Sequence, residues 1–86
     1  MKEKWVLGIN ITDRVSEVAL VQNILAKFGC SIRTRLGLHG TDPGTNAGCG
    51  LILLELYGDP AEFVKLENEL LKTEGIEVRK MVFKQG

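Results

Sequence analysis

Apolar residues near the start of the chain first alternate with polar ones and then change to a helical period. Residues 5–12, WVLGINIT, place a tryptophan, a leucine and two isoleucines on one face, which predicts a strand with one buried face. Asp13 stands where it can cap a following helix, and Gly29 where it can end that helix in a left-handed conformation. Between them, apolar residues recur three or four positions apart and predict an amphipathic helix. Its predicted buried stripe is Val15, Val18, Ala19, Val21, Ile24, Leu25 and Phe28.

Two further strands follow, separated by a glycine-rich stretch. Residues 31–38 alternate, and the pattern places Arg33 and Arg35 on the face opposite Ile32 and Leu36. Residues 51–57, LILLELY, are an almost continuous apolar run, which is typical of a strand covered on both faces. Residues 39–50, HGTDPGTNAGCG, lie between these strands and predict a mobile loop that is longer than a hairpin needs.

A second helix and a last strand complete the pattern. Asp59 and Pro60 are typical of an N-cap followed by the first helical residue, and Glu62 completes a pair like that of a capping box. Gly75 ends this helix, and residues 76–83 form the last strand. The predicted buried face of the helix is Phe63, Val64, Leu66, Leu70 and Leu71.

The order strand, helix, strand, strand, helix, strand predicts an α+β fold. Each half can form a right-handed crossover. The compact solution is the ferredoxin-like βαββαβ split sandwich, in which a four-stranded antiparallel sheet carries two helices on one face. With 86 residues the chain is predicted to be one domain, 1–86, because neither half could build a core alone.

Charge and composition exclude some classes of protein. Eleven basic and eleven acidic residues give a net charge of zero, which argues against a broad basic face for nucleic acid. No apolar run approaches the roughly 20 residues that span a bilayer, and the N-terminus does not resemble a signal peptide. Two cysteines are too few for a disulfide framework. We therefore expect a cytoplasmic protein without membrane contact.

The sheet face that the helices leave uncovered is predicted to be apolar. A domain of this size with such a face is expected to form homo-oligomers, most simply dimers about a twofold axis. On the same face, Glu55 is expected to pair with an arginine of the second strand rather than to form an anion site. The predicted interface residues are Arg33, Arg35, Leu51, Leu53, Glu55, Met81 and Phe83.

The cysteines and the single histidine are the candidates for metal chemistry. Cys30 and Cys49 are expected about 20 Å apart, at opposite ends of a hairpin, so they cannot form a disulfide within one chain. Cys30 is predicted to be a small buried side chain. His39 and Cys49 flank the loop and suit nickel or zinc, which we keep as an alternative with the metal shared across subunits. Without an evident third group to orient a thiol nucleophile, we expect no enzymatic activity and no cofactor.

Two places could contact a small molecule or a protein partner. The start of the first helix can attract an anion, although capping by Asp13 explains the same residues. The loop amides can form an anion-binding nest, and simple disorder is the competing explanation for the loop's length. The candidate ligand-binding residues are Asn10, Thr12, Asp13, Arg14, His39, Asp42 and Asn46.

The runs WVLGINITDRVSEVALVQNILAKFG, IRTRLGL and EGIEVRKMVF resemble the family of iron-only hydrogenase system regulators, which are ACT-like domains. The resemblance implies a ferredoxin-like fold, an oligomer and a regulatory role, without implying a ligand. A weaker resemblance, carried by His39 and Cys49, is to the regulatory domain of nickel-responsive repressors. That domain's other histidines and its DNA-binding segment have no counterpart in this sequence. We therefore expect a non-enzymatic ACT-like regulatory module that senses a small ligand or docks on a partner.

Overall fold

The computed structural model describes residues 2–11, 15–39 and 50–85, and for residues 2, 15–18, 38, 39 and 85 it describes the backbone alone. The elements are β1 (Lys2–Ile11), α1 (Val15–Lys27), a short 3-10 helix (Gly29–Ser31), β2 (Ile32–His39), β3 (Gly50–Leu56), α2 (Pro60–Leu71) and β4 (Ile76–Gln85). The strands form one antiparallel sheet in the order β2-β3-β1-β4. This confirms the predicted α+β ferredoxin-like fold.

A single apolar core lies between one face of the sheet and the two helices. Alternate residues of β1 and β3 point into it, and the Trp5 ring lies 5.5 Å from the Phe63 ring of α2. Burying each such side chain contributes about 1.5–3 kcal/mol, so this layer is the main source of stability. The buried residues are Trp5, Leu7, Ile9, Ile11, Val21, Leu25, Phe28, Ile52, Leu54, Leu56, Phe63, Leu66 and Leu70.

The start of α2 follows the predicted local signals, whereas the helix ends at Leu71, with Lys72 as its C-cap, and not at Gly75 as predicted. The Asp59 side chain accepts a hydrogen bond of 2.9 Å from the Ala61 amide, and Pro60 occupies the first turn. Gly75 has a φ of 82°, the left-handed conformation that turns the chain into β4. The predicted buried face of α2 is partly wrong. Val64 is 45% exposed and Leu71 is 60% exposed, because the sheet covers only the stripe around Phe63.

The end of α1 differs from the prediction. Gly29 does not adopt a positive φ, since Gly58 and Gly75 are the glycines that do so within the described ranges. Instead, the Ser31 amide donates to the Phe28 carbonyl at 2.9 Å, and the chain passes through the 3-10 helix. This turn places Cys30 at the surface, so its predicted burial is wrong. Ala19 of the predicted stripe is exposed as well.

A β-bulge in β2 sets the face of every later residue in that strand. Ile32 pairs with Leu56, but Thr34 pairs with Glu55, so the register shifts at Arg33. A shift of one residue exchanges the two faces of a strand. Beyond the bulge, Thr34 and Leu36 therefore lie on the face opposite the helices. The prediction that Arg35 lies on that face is wrong, because Arg35 is opposite Leu54 on the helix side.

Candidate functional site

The sheet face opposite α1 and α2 is the main candidate site, and we call it the open sheet face. Its members follow from the strand register, since residues directly opposite one another in antiparallel strands share a face. Neighbouring residues of all four strands line it. They are Lys4, Val6, Gly8 and Asn10 of β1, Thr34 and Leu36 of β2, Leu51, Leu53 and Glu55 of β3, and Glu77, Arg79, Met81 and Phe83 of β4.

Large apolar side chains lie uncovered on this face. Leu36 is 50% exposed, Met81 55% and Phe83 50%. Leu53 is less exposed because it leans over Gly8, where an added Cβ would lie 3.7 Å from a Leu53 methyl carbon. The predicted interface residues Leu51, Leu53, Glu55, Met81 and Phe83 therefore share one face. That a second copy covers them stays a prediction.

Glu55 is the centre of a small polar cluster on the open sheet face. Its carboxylate accepts a hydrogen bond of 3.0 Å from the Thr34 hydroxyl and lies 3.5 Å from the Lys4 ammonium. The prediction that an arginine of the second strand pairs with Glu55 is wrong. The bulge in β2 places Thr34 opposite Glu55, and the cation comes from β1 instead.

The two arginines of β2 have other partners. The Arg33 guanidinium, at the bulge, lies 5.3 Å from the centre of the Tyr57 ring, a distance suited to a cation–π contact. Arg35 donates a hydrogen bond to the Gln22 side chain of α1. Arg35 therefore ties β2 to α1 and is not part of the open sheet face.

Of the candidate residues at the end of β1, the structure describes Asn10. Its side-chain amide donates to the Glu77 carboxylate of β4 at 3.2 Å, and both residues are exposed. The other candidates there, Thr12, Asp13 and Arg14, lie outside the described residues. The anion site predicted at the start of the first helix stays a prediction.

The loop candidates fall at and beyond two strand ends. His39 pairs with Gly50 at the end of the β2–β3 ladder, so the ends of the predicted 39–50 loop are strand residues. Asp42, Asn46 and Cys49 lie outside the described residues. In the part of the chain that the structure describes, no three His, Cys, Asp or Glu side chains come together to hold a metal.

One polar cluster was missed by sequence analysis. The Lys80 ammonium of β4 lies 4.4 Å from the centre of the Trp5 ring and 3.1 Å from the Glu67 carboxylate of α2. The Trp5 indole donates to Glu3 at 3.0 Å. The strand alternation could have indicated this contact, since it places residue 80 on the helix side, between Val78 and Val82.

A shallow groove between the end of α1 and α2 is a weaker candidate. Its charges largely cancel, because Lys27 pairs with Glu69 at 3.0 Å and Lys65 with Glu62 at 2.9 Å. The hydrogen bond from Lys65 to Glu62, with the negative charge of Glu62, raises the pKa of Lys65. A groove with paired charges offers little to a charged ligand. The lining residues are Lys27, Phe28, Glu62, Lys65, Asn68, Glu69 and Lys72.

Neither described helix is both long and apolar enough to cross a membrane.

Comparisons with known proteins identify the fold. No family model and no curated protein matches the chain. Among solved structures, an uncharacterized protein from Thermotoga maritima is 24% identical, with a TM-score of 0.80, and the match covers 96% of this chain and 100% of that one. The ACT domain of a GTP pyrophosphokinase from Chlorobium tepidum is 20% identical, with a TM-score of 0.67 and coverage of 91% and 96%. The protein CPII from Thiomonas intermedia, solved with ADP, AMP and acetate, is 12% identical, with a TM-score of 0.51 and coverage of 99% and 94%. At these identities the comparisons show a shared fold.

Proposed function

We propose that this chain is a regulatory, ligand-sensing module of ACT-like fold that acts by binding, as a homo-oligomer, and not by catalysis. The observation that supports this most is the open sheet face. Leu36, Met81 and Phe83 expose half of their surface or more on one side of a four-stranded sheet. Large apolar side chains left uncovered on one face of a sheet are typical of a binding surface.

The fold supports a regulatory role by analogy. One structure of similar fold is an ACT domain of a GTP pyrophosphokinase, and another was solved with ADP and AMP. Such an analogy suggests a class of function and does not identify a ligand. It does make adenine nucleotides and acetate reasonable first probes. The resemblance to hydrogenase system regulators suggests that the regulated process belongs to metal or redox metabolism.

A thermal-shift screen with small metabolites tests the ligand-sensing role. A ligand present at about 100 times its Kd stabilises the folded state by about 2.7 kcal/mol. For a domain of this size that raises the Tm by about 10 °C or more. ADP, AMP and acetate are the first probes, followed by amino acids and other nucleotides. A panel that leaves the Tm unchanged throughout contradicts the proposal.

The position of any bound ligand is then tested with two asparagine variants. Asn10→Ala removes the side chain at the end of β1, among the candidate ligand-binding residues. Asn68→Ala is the matched control, because Asn68 lines the groove on α2. If the ligand binds at the end of β1, we expect Asn10→Ala to weaken the thermal shift and Asn68→Ala to leave it unchanged. If the thermal shift is the same in Asn10→Ala as in Asn68→Ala, the ligand does not bind at the end of β1.

A metal-binding sensor is the second candidate, and one observation favours it. The register pairs His39 with Gly50, which follows Cys49 in the sequence. Under this alternative, nickel or zinc binds with stoichiometric occupancy after reconstitution, and Cys49→Ala abolishes it. Cys30→Ala is the matched control and retains the metal, because Cys30 precedes the other end of β2. Elemental analysis of the three proteins decides, and wild type without stoichiometric metal excludes this candidate.

A further inference from the structure

One end of the open sheet face carries two exposed aromatic rings and two basic side chains. Phe83 of β4 is directly opposite Lys4 of β1, so both lie on this face. Tyr57 follows the buried Leu56 at the end of β3, so alternation places its exposed ring on the same face. The Arg33 guanidinium of β2 lies 5.3 Å from the centre of that ring. We call Lys4, Arg33, Tyr57 and Phe83 the aromatic row.

The strand order sets the spacing along the aromatic row. The sheet order β2-β3-β1-β4 arranges the four residues across the sheet as Arg33, Tyr57, Lys4 and Phe83. Neighbouring strands lie about 4.8 Å apart, so Phe83 stands about 5 Å from the strand of Lys4 and about 10 Å from that of Tyr57. Because the Arg33 guanidinium contacts the Tyr57 ring, both cations lie on the same side of Phe83.

The aromatic row has a free ring and a net positive charge. Phe83 is 50% exposed, and among the described residues no other ring or cation contacts it. Arg33 has no acidic partner in the same part of the chain. Lys4 has one such partner, Glu55, at 3.5 Å. One carboxylate therefore stands against two cations, and the row can accept both an anion and a flat apolar group.

We propose that the aromatic row binds a nucleotide, with the base stacked on Phe83 and the phosphates between Lys4 and Arg33. An exposed ring attracts a nucleotide base by stacking. The planar guanidinium of Arg33 suits two parallel hydrogen bonds to a phosphate, and the Tyr57 ring positions it by a cation–π contact. The inference rests on the proposed function, because it names the class of ligand that the sensing module takes.

The combination of ring and charge favours a nucleotide over other occupants. A simple anion leaves the Phe83 ring uncovered, and an apolar peptide leaves Arg33 without an acceptor. The other end of the open sheet face offers no such charge, because Arg79 pairs there with Glu77 at 3.6 Å. The net charge of zero argues against a long nucleic acid, whose binding depends on many phosphate contacts. In a single nucleotide the sugar separates the base from the phosphates, as the ring and the cations are separated in the row.

Calorimetry with the wild-type protein tests the class of ligand. The probes are ADP, adenosine, which lacks the phosphates, and ribose 5-phosphate, which lacks the base. We expect ADP to bind at least about tenfold more tightly than either fragment, because its base and its phosphates contact different residues. If ribose 5-phosphate binds as tightly as ADP, the row is a simple anion site and the proposal is overturned. Equally tight binding of adenosine overturns it as well, because the phosphates then make no contact.

Four variants test where ADP binds. Phe83→Leu removes the ring and should weaken ADP binding by about fivefold or more. Met81→Leu, at a similarly exposed position of the same strand, is its control and should leave the affinity unchanged. Arg33→Gln should weaken binding by about tenfold, whereas Arg79→Gln is its control at the other end of the face. Unchanged affinity in Phe83→Leu or in Arg33→Gln overturns the proposal.

The positioning role of Tyr57 has its own test, since its ring is what holds Arg33. Tyr57→Phe keeps the ring and should bind ADP like the wild type, while Tyr57→Leu should bind it more weakly. In the double variant with Arg33→Gln, Tyr57→Leu should add little to the loss, because both changes remove the same phosphate contact. If the two losses add fully, Tyr57 does not act through Arg33, and this part of the proposal is overturned.

The outcomes separate this inference from the sensing role. If other metabolites raise the Tm and no nucleotide binds, the sensing role stands and the nucleotide site is overturned. If no metabolite of any class binds, both fail. Light scattering shows whether a second copy covers the row instead: a change of oligomeric state in Phe83→Leu and Arg33→Gln, without ADP binding to the wild type, overturns the proposal. Circular dichroism confirms that the variants fold, as expected at exposed positions.

Discussion

At the residue scale, Lys80 shows how an exposed charged side chain can contact the edge of the core. Its ammonium lies 4.4 Å from the Trp5 ring centre and 3.1 Å from the Glu67 carboxylate. Long basic side chains can cover apolar surface with their stems while the charged end reaches a polar partner. The register of β4 places residue 80 opposite Leu7, on the buried side of the sheet. Lys80 therefore joins β4 to α2 while its side chain remains 41% exposed to solvent.

The helix cap at Asp59 supports a quantitative prediction at the same scale. Asp59→Ala should lower the free energy of unfolding by about 1 kcal/mol, because the Ala61 amide loses its acceptor. Asp59→Ser keeps an acceptor and should lose much less. Urea denaturation followed by circular dichroism measures both. Equal losses in the two variants would show that the cap is not the source of the stability.

At the element scale, local signals were sufficient for the start of α2 and insufficient for its end and for β2. The N-cap at Asp59 depends on a few neighbouring residues and could be predicted from the sequence, whereas α2 ends at Leu71 and not at the predicted Gly75. The side of the sheet on which each later residue of β2 lies depends on the bulge at Arg33. This bulge exists only through the pairing of β2 with β3. Alternation in a single strand contains no information about such a shift.

The buried face of α2 provides the prediction at the element scale. Leu66→Ala should destabilise the fold by about 2–5 kcal/mol, because Leu66 is completely buried. Leu71→Ala is the matched control on the same helix. It should change stability by no more than about 0.5 kcal/mol, since Leu71 is 60% exposed. A large loss in Leu71→Ala would mean that another surface covers that side of α2 in solution.

At the scale of the whole molecule, the architecture was predictable and the partners of polar side chains were not. Alternation in β1 and β4 was enough to place Met81 and Phe83 on the open sheet face, whereas Leu36 was predicted on the opposite face because the bulge in β2 could not be foreseen. The partners of Glu55 could not be predicted, because Lys4 and Thr34 come from strands far apart in sequence and their positions depend on the bulge. The loop candidates Asp42, Asn46 and Cys49 lie outside the described residues, so their roles stay predictions.

The central position of β1 has a consequence for the order in which the protein assembles. β1 is the earliest strand in the chain, yet it lies between β3 and β4, and its Lys2 is opposite Gln85 of the last strand. During synthesis on the ribosome, β1 emerges before β3 and β4, and its second edge stays unpaired until β4 has emerged. Contacts of such long sequence separation form slowly. The nascent chain therefore has an apolar strand with an open edge until β4 emerges, and this is the period when chaperones or aggregation can compete with folding.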